Sequence, residues 1–217
     1  MKDFKTFVNE NLLVPRNLEG RKEKLKQMNI RLLSQEVIDG DLDLDESFMG
    51  IDAKFVKLKK VNGDVLLTGE QWTEIPEWLK DMEIEGDFSC AHNKLTTFKN
   101  CPQKIGLNFS ILYNKITSLE GCPENINGTF SCAYNQLTTL KNGPDKIGRN
   151  FWCNNNLLIS LEGCAKNIGG DFECFNNQLT SLYGCPENIG GDLWCNNNKV
   201  VKMKLPDYVK LKGKFFN

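Results

Sequence analysis

The chain has 217 residues, 27 basic and 28 acidic, for a net charge of -1. That balance gives no global field for nucleic acid, and no run of eighteen or more apolar residues marks a membrane-spanning helix, so a soluble protein is expected. Nine cysteines in a chain of this length, odd in number and without the apolar core of a signal peptide, point to reduced thiols in a cytoplasm rather than a disulfide framework.

Residues 1–36 read as an N-terminal helical cap. Phe4, Phe7, Val8, Leu12 and Leu13 fall close to helical spacing before Pro15. A second helix follows, with Asn17 as its cap and Leu18, Leu25, Met28 and Leu32 as an apolar stripe among basic residues. The opening MKDFKTFVNE, with its Val8-Asn9-Glu10 step, resembles the N-terminal targeting peptides of internal head proteins of T-even-type bacteriophages. The resemblance implies that residues 1–10 direct packaging into the phage head and are cut off after Glu10.

From Phe88 the sequence repeats every twenty-one residues. FSCAHNKLTTFKNCPQKIGLN returns as lines headed by Phe109, Phe130, Phe151 and Phe172, and a shortened copy starts at Leu193. A fixed period of this size is the signature of a solenoid, whose units bury their apolar faces only against their neighbours. Residues 88–198 are thus regular repeats. Residues 37–87 hold two degenerate ones, starting at Leu42 and Val65, and residues 199–217 form a C-terminal cap with six Lys against one Asp.

Counting from the leading Phe, positions 1 and 3 are apolar around a variable position 2, which describes a short strand with one buried face. Positions 8, 11 and 18 are apolar in every full unit and complete the interior. Position 6 is Asn from Asn93 to Asn198, and a carboxamide turned inward satisfies backbone groups that a sharp turn leaves unpaired. Cys90, Cys132, Cys153, Cys174 and Cys195 share position 3, and Cys101, Cys122, Cys164 and Cys185 share position 14. They read as small buried hydrophobes; no metal site and no cofactor are expected.

Phe130-X-Cys132-X-X-Asn135-X-Leu137 and its counterparts resemble the core of the leucine-rich repeat superfamily, in its short bacterial form. The line departs from that family in carrying Cys where aliphatic residues are usual. The resemblance implies a β-rich solenoid with a parallel sheet along the concave face, and implies no activity.

With positions 1 and 3 inward, positions 21, 2, 4 and 5 face outward. Early units present His92, Tyr113 and Tyr134 there. Later ones present Trp152 and Asn154, then Asp171, Glu173 and Phe175, then Asp192, Trp194 and Asn196. Aromatic anchors rimmed by amides and carboxylates have the make-up of a recognition surface. His92 is the sole histidine, and no phosphate loop, zinc-protease motif or nucleophile elbow is present. The expectation is a non-enzymatic module that captures a protein partner on its concave face, without membrane or nucleic-acid contact, acting in the cytoplasm of a phage host. The alternatives are a packaged virion protein, and a small-ligand binder or weak hydrolase built on Asp171, Glu173 and Asp192.

Overall fold

The computed structural model describes residues 18–200 and 202–217. The first helix, the Asn17 cap and the decapeptide 1–10 expected from the sequence lie outside them. The chain opens with helix α1 (Leu18–Leu33) and then winds as a parallel β-solenoid. Leu33 is fully buried and Met28, Ile30 and Leu32 are half-buried, whereas Leu25 is 37% exposed. The apolar stripe is therefore shorter than the sequence spacing implies, because only the C-terminal half of α1 meets the first coil. Asn29 lies in that contact and donates from Nδ2 to Ser47 Oγ at 2.8 Å. The carbonyl of Leu33, left open by the end of the helix, accepts from the amides of Lys57 and Leu58.

Nine short strands, opening at Leu42, Val65, Phe88, Phe109, Phe130, Phe151, Phe172, Leu193 and Phe215, form one parallel sheet in chain order. Register pairs like with like, Phe130 with both Phe109 and Phe151, for example. The two early steps are longer, matching Leu42 to Val65 and Val65 to Phe88. The five Phe rings from Phe88 to Phe172 stack through the core with centroids 5.4 to 5.5 Å apart and planes within 7° to 19° of parallel.

Each coil also holds a second strand, which position-by-position reading of the repeat places only as core. Its two residues pair an exposed polar side chain with a buried one, as in Lys146–Ile147 and Asn167–Ile168. These strands build a four-stranded sheet up to Lys104–Ile105 and a five-stranded one from Asn125–Ile126 onward. The corner between the two strands of a coil is drawn tight against the coil before it. A Cβ on Gly169 would lie 2.0 Å from Gly148 O, and one on Gly170 would lie 2.1 Å from Asn150 Oδ1. Glycine is required there by close approach of rungs, not by an unusual φ.

Two ladders of side chain to backbone bonds tie the rungs together, the second in two runs, from Asp41 to Thr129 and from Asn150 to Lys214. The first is the Asn at position 6. Asn156 Oδ1 accepts from Leu137 N at 2.9 Å, and its Nδ2 donates to Cys132 O at 3.0 Å and Cys153 O at 3.1 Å. The same pattern recurs at Asn114, Asn135, Asn177 and Asn198. Each carboxamide thus spends both its ends on the turn of the preceding rung, so the ladder is Asn to backbone rather than Asn to Asn. The second lies at position 21, where Asp64 accepts from Asp87 N, Asp87 from Asn108 N and Asn108 from Thr129 N, at 2.7 to 2.9 Å.

Candidate binding face

Positions 2 and 4 of each rung alternate with the buried positions 1 and 3, so they project from the outer face of the nine-stranded sheet. In register, the position 2 column runs Ser89, Ser110, Ser131, Trp152, Glu173, Trp194, Phe216. Serines fill the first part of that run and aromatic rings flanking one carboxylate fill the rest.

Trp152, Glu173 and Trp194 are half-buried and adjacent, with Glu173 paired to an indole on either side. Phe216 extends the patch, stacked on Trp194 with centroids 3.7 Å apart and planes 9° from parallel. Sequence reading assigned Phe216 to the cap. The signal that places it on the face is Lys212-Gly213-Lys214-Phe215-Phe216, a degenerate copy of the corner that reads Gly169-Gly170-Asp171-Phe172-Glu173 two rungs earlier. Burial and the neighbouring Asp171 carboxylate push the Glu173 carboxyl above its ordinary range.

In the position 4 column Phe175 and Asn196 are half-buried beside that patch. Asn154, expected on the surface, is only 5% exposed, and its Oδ1 has no hydrogen-bond partner. Buried with it are Ser131 Oγ, Trp152 Nε1 and Asn155 Nδ2, each also without a partner. Ser131 is buried whereas the equivalent Ser89 and Ser110 are half-buried, and the difference falls on the rung that is paired with Trp152.

Asp171 and Asp192, read from the sequence as recognition or acid-base groups, belong to the position 21 ladder. Asp171 Oδ1 accepts from Asp192 N at 2.8 Å and Asp192 Oδ1 from Lys214 N at 2.7 Å. Each therefore ties one rung to the next, and only Glu173 of the three carboxylates is free of backbone duty.

His92, Tyr113 and Tyr134 are brought together apart from the tryptophans, on the earlier rungs. They occupy position 5, where every residue from His92 to Asn197 has φ between +52° and +55°. Their rings stack at 4.7 and 4.1 Å, with Tyr113 and Tyr134 43% and 41% exposed. Asn155 and Asn176 continue the column, Asn176 Nδ2 donating to Asn155 Oδ1 at 2.9 Å. Asn tolerates a positive φ better than Tyr or His, so the aromatic half of the column is held against local preference by ring stacking.

All nine thiols are free. Burial raises them, Cys195 to about 11 and Cys185 to about 12, so they are neutral core groups at physiological pH. Among the described residues no cluster of three or more His, Cys, Asp or Glu is placed to hold a metal ion, and no helix is long and apolar enough to cross a membrane.

Parallel register, three sheets and two side-chain ladders place the chain in the class of repeat β-solenoids, with one chemically graded sheet face. Comparison with protein families, curated proteins and solved structures finds no match for this chain.

Proposed function

We propose that this chain is a non-enzymatic binding module of the leucine-rich-repeat kind, of bacteriophage origin, which captures a host or defence protein in the host cytoplasm on the outer face of its nine-stranded sheet. The observation that carries this reading is the run Trp152, Glu173, Trp194, Phe216. It is a contiguous aromatic patch around one carboxylate, on side chains that the fold's own ladders do not use. Large rings half-sunk in a rigid sheet lose little conformational entropy on binding, and such anchors dominate interface energies.

The test is affinity capture with the intact chain and with W152A/W194A. The double variant is expected to lose its partner while its thermal midpoint stays within a few degrees of wild type. Unchanged capture by that variant would refute the assignment of this face.

A second reading, carriage inside the phage head, is favoured by the resemblance of Met1–Glu10 to packaging peptides. It requires the protein purified from virions to start at Asn11, which N-terminal mass spectrometry reads directly.

A further inference from the structure

The rung opened by Phe172 sets one carboxylate between two indoles. Glu173 is in register with Trp152 on the preceding rung and Trp194 on the following one. At a strand spacing of about 4.8 Å the strands that carry the indoles stand roughly 9.6 Å apart across it. Phe216 stacks on the far side of Trp194, so the indole keeps its other face toward Glu173.

Three carboxylates gather around the slot, with Lys214 next along their column beyond Asp192. Asp171 and Asp192 flank Glu173 on the neighbouring column, and among the described residues none of the three is ion-paired. A second observation lies beside the slot. Asn154 projects from its strand on the same side as Trp152, is buried, and has an Oδ1 without a donor, while Trp152 Nε1 is buried without an acceptor. One unpaired acceptor and one unpaired donor two residues apart on a strand are the complement of the N–H and C=O of one extended residue, which point the same way.

We propose, on the basis of the binding-module reading above, that the slot between Trp152 and Trp194 receives an arginine side chain of the partner protein. The guanidinium stacks between the indoles and forks onto the Glu173 carboxylate. A turn of the Trp152 indole then lets an adjoining extended residue of the partner donate its N–H to Asn154 Oδ1 and accept at its C=O from Trp152 Nε1. Midway between the rings a cation is about 4.8 Å from each, inside the ~6 Å reach of a cation–π contact. A planar guanidinium matches two flat walls and a two-oxygen floor, whereas a lysine ammonium, compact and strongly hydrated, matches neither.

The experiment is a titration of the full chain, followed by tryptophan emission and by calorimetry, with blocked tetra-arginine, tetra-lysine and tetra-glutamate peptides and with chitotetraose. Tetra-arginine is expected to bind at least tenfold tighter than tetra-lysine. E173Q is expected to weaken it at least tenfold with a circular-dichroism melt no lower than that of the parent chain, and E120Q, remote from the slot, to leave it unchanged. Equal binding of the two basic peptides, indifference to E173Q, absence of tetra-arginine binding, or binding of tetra-glutamate or chitotetraose in its place would each overturn the arginine assignment. If W152A/W194A abolishes partner capture while tetra-arginine neither binds nor competes, the binding module stands and the arginine slot falls. Capture indifferent to W152A/W194A removes the assignment of this face, and the slot with it.

Discussion

Single residues in this chain divide by whether the backbone of a neighbouring rung depends on them. Asn156 is buried and serves four backbone groups, so N156A leaves the amide of Leu137 and the carbonyls of Cys132 and Cys153 short of partners in a dry site. A loss of about 3 kcal/mol is expected, measurable by urea denaturation. Glu173 serves none, and its folded carboxyl lies above the ordinary value of 4.5 because of burial and Asp171. The folded state therefore holds its proton more tightly than the unfolded one. Its contribution to stability is complete below the ordinary value and is lost as pH rises through the raised one. E173Q is expected to raise the thermal midpoint by about 1 °C at neutral pH, the gain being small because solvent still reaches the half-buried group and screens it, and to leave it unchanged in acid. The same ionisation makes capture of a cation strengthen as pH rises through that value, which calorimetric titration at several pH values checks.

At the level of the strand, legibility in the sequence followed from repetition of environment. Position 1 meets another position 1 above and below, so the Phe column and its Cys companion announced themselves as core. The second strand of each coil did not, because two residues are too short to show an alternation and Lys146–Ile147 looks like any corner. The burial of Asn154 was hidden for the opposite reason, since its column neighbours Ala133 and Phe175 are unlike it and unlike each other, and no repeating pattern reports on a position whose surroundings change. On the helix, Leu25 fits an apolar stripe yet is exposed, since helical periodicity says nothing about where a helix parts from its neighbour. The corners make the sharpest test at this scale. G169A must push the Gly148 carbonyl away from a contact at 2.0 Å, and a cost of about 2–3 kcal/mol is expected in denaturant. F151A, which removes a ring stacked between Phe130 and Phe172, is expected to cost about 3–5 kcal/mol.

The molecule as a whole is close to one-dimensional, each rung bonded only to the rungs beside it. Removal of residues 109–129, one complete line, joins Asn108 to Phe130 and restores every column. The shortened chain is expected to melt cooperatively and to lose about 4.8 Å of length by small-angle scattering. Removal of residues 109–118, half a line, puts apolar positions in the places of polar ones and is expected to abolish the folded signal in circular dichroism. Architecture was legible at this scale because a period is a property of the whole array. The binding patch was legible only in part: Trp152, Glu173 and Trp194 were visible as outward residues, while Phe216 joined them across a rung whose sequence had drifted.

The serines at Ser89, Ser110 and Ser131 stand in the same column as the two indoles and on the same scaffold. What the sheet displays is thus written separately from what holds it up. Exchanging one outward side chain alters the message without disturbing the page, and a duplicated rung adds a fresh line. A lineage carrying such a chain can rewrite that surface one character at a time, with the early serine stretch as blank space.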